Sequence, residues 1–154
     1  MAKKSAGILL YRLMNGSPEV FLVHPGGPFF VKKDEGVWSI PKGEYEEDEE
    51  PLTAAKREFF EETGIEVDGD FIALTPVRLK SGKVVIAFAL DHDIDASQVN
   101  SNSFEIEWPP KSGKMKSFPE IDKGEWFNLD VAKQKINPAQ RLLIYELVTI
   151  EGIR

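Results

Sequence analysis

Two apolar runs open the chain, Ser5–Met14 and Glu19–His24, and Asn15-Gly16-Ser17-Pro18 separates them. Runs of this kind around an Asn-Gly signal predict a β-hairpin. A Gly/Pro-punctuated loop, HPGGPFFVKKDEG, comes next, and Val37–Ile40 then predicts a short strand that Pro41 ends. From Pro51 to Thr63 the pattern changes period. Leu52, Ala55 and Phe59 form one apolar stripe, Pro51 suits a first helical turn, and Gly64 suits the left-handed position after the last. Phe71–Arg78 and Val84–Leu90 bracket Ser81-Gly82-Lys83 as a second hairpin. Ser103–Trp108 predicts a strand, PPKSGKMKSFPE a loop, and Glu125–Leu129 a further short strand. Asp130 is the expected cap of a short helix. Pro138 begins a last one, whose apolar content is Leu142, Leu143, Tyr145 and Leu147. Many strands and few helices in mixed order predict an α/β (α+β) domain with helices laid on a sheet.

Composition narrows this picture. A chain of 154 residues, 42% hydrophobic and 29% charged, suffices for one domain spanning 1–154 with a substantial core. No repeat, linker tract or apolar run of about 18 residues interrupts it. The opening MAKKSAGILLYRLMNG is broken by Tyr11 and Arg12 and lacks a small-residue cleavage site, so it reads as a strand rather than a leader. There is no cysteine. That removes disulfides, thiolate nucleophiles and zinc-thiolate sites, and it fits the expectation of a cytoplasmic protein. The net charge of −7 disfavours a nucleic-acid duplex or an anionic membrane as partner. A phosphorylated small molecule stays open as substrate, since a bound cation inverts the local field.

The acidic residues are unevenly spent. Nine of them lie between Gly43 and Gly64, against Lys56 and Arg57 as the only bases. Glu44, Glu46, Glu47 and Asp48 make an ordinary solvated acidic run. Glu58, Glu61 and Glu62 do not. On a helix they fall within an arc of about 100°. Glu58 and Glu62 then repel as an i,i+4 pair, and Glu61 and Glu62 sit at the end where the helix dipole disfavours anions. Breaking two local rules together marks a functional site. A divalent cation removes the conflict: hard carboxylate oxygens at i, i+3 and i+4 suit Mg²⁺, which is commonly shared between carboxylates and substrate phosphates. The residues alone therefore point to metal-assisted phosphoryl or pyrophosphate chemistry.

Gly43, five residues, Glu49, seven residues, and then Arg57-Glu58-Phe59-Phe60-Glu61-Glu62-Thr63-Gly64-Ile65 resembles the Nudix box at every constrained position. The resemblance implies a Nudix-type α/β/α sandwich with a mixed sheet. It implies an enzyme that cleaves the diphosphate linkage of a nucleotide derivative by attack of water on phosphorus, with Mg²⁺ or Mn²⁺ as cofactor. Glu58, Glu61 and Glu62 match the metal-holding positions, joined by the backbone carbonyl at Lys42. Arg57 matches a residue that pairs with the one matching Glu49, orienting loop and helix. A further acid often comes from a late loop. Here Glu120, six residues before Trp126, is the first candidate for base and additional metal ligand, and Glu105 and Glu107 are the alternatives. Glu61 is the other candidate base. A catalytically silent nucleotide-binding module on the same fold is the competing class, and a monomer or homodimer is expected.

Substrate identity is less legible. Lys42, Lys80 and Lys83 are candidate phosphate contacts; Arg78 flanks the second hairpin with Lys80 and Lys83, and Lys111, Lys114 and Lys116 populate the loop PPKSGKMKSFPE. Trp38 and Phe29 or Phe30 are candidate stacking surfaces for a base. The entry Trp38-Ser39-Ile40-Pro41-Lys42-Gly43 resembles that of diadenosine polyphosphate hydrolases. Lys80-Ser81-Gly82-Lys83, however, stands where subfamily markers of Pro or Tyr would distinguish ADP-ribose from diadenosine polyphosphates. Asp91-His92-Asp93-Ile94-Asp95 opens like a calcium loop but has Ala96 in place of the required glycine and Asn102 in place of the terminal glutamate.

Overall fold

The structure is a computed structural model that describes residues 3–151. Strand β1 (Lys4–Met14) turns into β2 (Ser17–Pro25). The turn places both Asn15 (φ 54°) and Gly16 (φ 82°) in the left-handed region, as a two-residue hairpin loop requires. Then follow β3 (Lys42–Glu44), α1 (Pro51–Thr63), β4 (Ile72–Ala73), β5 (Val77–Arg78) and β6 (Val84–Asp91). The chain continues through β7 (Ser103–Glu107), β8 (Met115–Pro119), β9 (Ile121–Asn128), α2 (Leu129–Lys135) and α3 (Arg141–Glu151). The main sheet runs β4-β6-β1-β2-β9, with β3 added to β1 and β5 to β6. It is mixed, since β1 and β6 are parallel while the other pairs are antiparallel. Strands β7 and β8 form a separate ribbon.

Strand β1 is central, so both its faces are covered and its apolar run is nearly continuous. Ile8 and Leu10, with Phe21 and Val23 of β2, pack against Ala54, Ala55 and Phe59 of α1. The alternate residues Leu9 and Tyr11, with Val20 and Leu22, meet Ala132 of α2 and Leu143, Ile144 and Leu147 of α3. One helix below and two above make the α/β/α sandwich. Among the described residues no helix is long and apolar enough to cross a membrane.

Several local expectations change in three dimensions. Val37–Ile40 makes only isolated bridges, Val23 with Ser39 and Trp38 with Ile136. The ladder partner of β1 is instead Lys42–Glu44, and Gly7 makes that approach feasible: a Cβ there would lie 2.5 Å from the Pro41 carbonyl oxygen. The loop after Trp108 contains β8, because Phe118 pairs with Phe104. Strand β9 begins at Ile121 rather than Glu125, since β2 pairs with it along its whole length. Asn128, not Asp130, caps α2, accepting the Val131 N–H at 2.9 Å. Asp130 lies in the first turn, where the dipole favours an anion. On α1 the buried stripe uses Ala54 rather than Leu52.

Candidate active site

Helix α1 ends as its sequence requires. Gly64 adopts φ 74° and donates to the Phe60 carbonyl at 2.7 Å, while buried Thr63 donates its hydroxyl to the Phe59 carbonyl. Phe59, fully buried against Phe21, fixes the rotation of the helix, so Glu58, Glu61 and Glu62 emerge on its flanks toward β3 and the late strands.

Strand β3 meets two of these carboxylates through its backbone. The Lys42 N–H donates to Glu62 Oε1 at 3.1 Å. Gly43 lies directly against Glu58, where a Cβ on the glycine would fall only 1.8 Å from Oε1. Arg57 supplies the remaining contacts. Its Nε and Nη2 donate to the two oxygens of Glu49 at 2.8 and 2.9 Å, a bidentate fork. Its Nη1 donates to Glu58 at 2.5 Å and to Glu61 at 3.3 Å. One guanidinium thus ties the box loop to two of the three helical acids.

The field of the site is acidic and partly dry. Burial pushes the Glu62 carboxyl up to about 8; nearby Glu58 and Glu120 add to this, and the Lys42 amide and ammonium oppose it. Burial likewise raises Glu58, with Glu61 reinforcing the shift and Arg57 opposing it. The Lys42 ammonium is lowered by burial and, to a lesser degree, by Lys83, while Glu62 pulls it the other way. Hydrogen bonding to Glu49 and Glu58 raises Arg57 against the cost of its own burial. Such a cluster of half-buried carboxylates is electrostatically incomplete without further positive charge.

Among the described residues, no three acidic or histidine groups are drawn together in a metal-ligand arrangement; Arg57 Nη1 lies between Glu58 and Glu61, and the Lys42 amide holds Glu62. The donor set nevertheless fits a hard divalent cation: three carboxylates lie on one helix end, one of them recessed against a glycine that leaves it room.

The NUDIX domain family matches this chain over residues 1–147. The chain belongs to that family. A MutT-like protein of Streptomyces ambofaciens is 32% identical over 77 residues, which cover 50% of this chain and 50% of that one. An RNA pyrophosphohydrolase of Bartonella bacilliformis is 33% identical over 110 residues, covering 62% of this chain and 59% of the relative. The chain thus spans about half to three-fifths of the length of these relatives. Similar solved structures include the NUDIX domain of Shewanella oneidensis NrtR complexed with ADP ribose, at TM-score 0.64 and 16% identity over 99% of this chain and 89% of that one. A C. elegans Ap4A hydrolase superposes at TM-score 0.61 and 21% identity, covering 99% of this chain and 100% of that one. These two likenesses establish the Nudix fold.

Within that fold the remaining candidates separate. Glu120 stands between β8 and β9, its N–H bonded to the Asn102 carbonyl and its carbonyl to the Gly26 N–H, both at 2.8 Å. Its charge reaches Glu62. Glu107 is occupied elsewhere, accepting the N–H groups of Lys111 and Gly113 at 3.0 Å each, and so braces a turn. Glu105 is exposed on the ribbon. Lys83 pairs with Glu44 at 2.7 Å beside Lys42, whereas Lys80 is exposed at the second hairpin. Trp38 requires a correction. It is 1% exposed, packed between His24 and Phe127 with its indole N–H on Asp34, and offers no face to a base.

Two contacts at the site have no signal in the sequence. His24 is buried and holds Asp122 Oδ1 at 2.9 Å and the Lys33 carbonyl at 2.7 Å. It pins the loop after β2 to the start of β9, two residues beyond Glu120. Nothing in the order of residues announces a contact spanning 98 positions. The second is the Lys42 amide on Glu62. The family resemblance points to the carbonyl of that residue, while the group that meets Glu62 here is its N–H.

Proposed function

We propose that this protein is a Mg²⁺- or Mn²⁺-dependent pyrophosphohydrolase that cleaves the phosphoric anhydride of a nucleotide derivative. Dinucleoside polyphosphates and nucleoside triphosphates lead the substrate classes. The observation that carries the reading is the intact and interlocked box. Arg57 bridges Glu49, Glu58 and Glu61, Gly43 accommodates Glu58, and Glu62 rests on the Lys42 amide. A fold that only bound nucleotides would gain nothing from keeping Glu58, Glu61 and Glu62 close enough to repel.

Glu58, Glu61 and Glu62 would hold the cation, which acidifies water and offsets phosphate charge when bound. The protein residues do the rest. Arg57 keeps box loop and helix in register. The Lys42 and Lys83 side chains, both near Glu44, face an anionic substrate across the same edge. Glu120, on a segment anchored through its backbone, accepts the proton of the water whose oxygen attacks phosphorus. The bond from that phosphorus to the bridging oxygen breaks, and the leaving phosphate departs with the electron pair. Named relatives agree with the class: one is called an RNA pyrophosphohydrolase, and one structural neighbour is an Ap4A hydrolase.

The test is a panel of nucleoside triphosphates, dinucleoside polyphosphates and nucleotide sugars, assayed for released phosphate, pyrophosphate or nucleoside monophosphate with millimolar Mg²⁺ or Mn²⁺. Turnover of at least one member that is abolished by chelation supports the reading. A panel without turnover overturns it in favour of a binding module.

A further inference from the structure

The ribbon of β7 and β8 rises directly from the site. The N–H of Asn102, the residue before β7, donates to the Glu61 carbonyl at 3.2 Å, and Glu120 follows the last residue of β8. In an antiparallel pair, residues opposite each other share a face and successive residues alternate. The register places Phe104 opposite Phe118 and Ile106 opposite Lys116. A Trp108 N–H bond to the Lys114 carbonyl at 2.9 Å continues it. Trp108, Lys114 and Lys116 therefore share one face with Phe104, and Glu105 and Glu107 take the other.

That face is turned toward the loop after β2. The Phe104 ring covers Gly27, which has φ 95° and where a Cβ would fall 2.8 Å from the ring. Phe29 meets Trp108 with ring centroids 5.5 Å apart and planes at 82°, an open corner rather than a closed stack. Phe29 remains 61% exposed. Among the described residues, Lys114 and Lys116 form no ion pair with a carboxylate. In a protein of net charge −7, an exposed aromatic corner with two unpaired ammonium groups on the same face is complementary to a planar ring that carries anionic groups.

We infer that this corner is the seat of the substrate's nucleobase. The base stacks at Trp108 and Phe29, and Lys114 and Lys116 receive the phosphates that lead back toward Glu58, Glu61 and Glu62. The five-residue strand between Asn102 and Trp108 spans about 17 Å, a gap suited to a polyphosphate chain rather than a single phosphate. The assignment rests on the hydrolase reading for the direction of the substrate, and it concerns binding, which is measurable without turnover.

The experiment compares a nonhydrolysable nucleoside triphosphate with inorganic tripolyphosphate, by calorimetry with Mg²⁺, on the full chain and on the Trp108→Ala, Phe29→Ala, Trp108→Phe and Lys114→Ala/Lys116→Ala variants. Melting curves accompany each variant. Loss of one stacking partner is expected to weaken nucleotide binding by about 5- to 100-fold and to leave tripolyphosphate binding unchanged. Trp108→Phe restores most of the loss. The double lysine variant weakens both ligands. Equal weakening of both ligands by Trp108→Ala, or no weakening of either, overturns the seat. If the wild type releases no product from any nucleotide but still shows the base-dependent difference, the seat stands and the hydrolase reading falls.

Discussion

Gly43 lies so close to Glu58 that a Cβ on the glycine would fall 1.8 Å from the carboxylate oxygen. The first glycine of the box is therefore a spatial requirement of a side chain on the helix that follows, and not a turn requirement. Gly43→Ala pushes Glu58 aside, and a carboxylate at the end of a flexible side chain yields cheaply. The melting temperature is expected to change little, while turnover falls by about 10²-fold, the scale of a 1 Å misplacement. The response of the melting curve to Mg²⁺ should fall with it. Retained activity with a normal Mg²⁺ response would separate Glu58 from the chemistry.

Arg57 touches Glu49, Glu58 and Glu61 at once, so its loss should exceed that of Glu49. Arg57→Ala and Glu49→Ala are both expected to lower turnover, with the double variant close to Arg57→Ala alone, because contacting residues do not act additively. A double-mutant cycle on kcat/KM reads this directly. Strictly additive losses would show that the fork to Glu49 has no part in holding the site.

The raised Glu62 carboxyl has a consequence for stability without metal. Its folded value of about 8 exceeds the ordinary carboxylate value of 4.5, so the folded state favours the proton. That contribution is fully present below pH 4.5 and is lost as pH rises through about 8. In chelator, the melting temperature should decline across this window. The increment from adding Mg²⁺ should grow over the same window, since the cation takes the ionised form. Glu62→Gln is expected to flatten both trends. Parallel curves for wild type and variant would contradict the assignment.

Glu120→Gln tests the proton acceptor. A general base supplies about 10²–10⁴-fold in kcat, so Glu120→Gln is expected to lower kcat by a factor in that range, and saturating Mg²⁺ should not restore it. Glu58→Gln and Glu62→Gln are expected instead to raise the Mg²⁺ concentration needed for half-maximal rate. Near-full kcat in Glu120→Gln moves the base to Glu61, since Glu107 is already committed to the Lys111 and Gly113 amides.

Local chemistry sufficed for the elements whose determinants are contiguous. Pro51 and Gly64 bound α1 in the structure at the residues their backbone preferences indicate. Asn15 and Gly16 adopt the positive φ that closes the first hairpin. The conflict among Glu58, Glu61 and Glu62 was visible in the sequence because helical spacing alone brings them together. What lay beyond the sequence depends on partners far along the chain. Trp38, a candidate stacking surface by its sequence position, is core because β9 brings Phe127 and β2 brings His24 against its ring. Met115–Pro119 has weak strand character alone and becomes a strand because β7 offers it a ladder. The Lys42 amide reaches Glu62 only because Gly7 lets β3 close on β1, and side chains 98 residues apart, His24 and Asp122, meet only because β2 and β9 are neighbours. Dihedral preference and periodicity are properties of a short segment. Burial, pairing and the field felt by a carboxylate depend on everything packed around it, and for that reason the tertiary structure alone decided them.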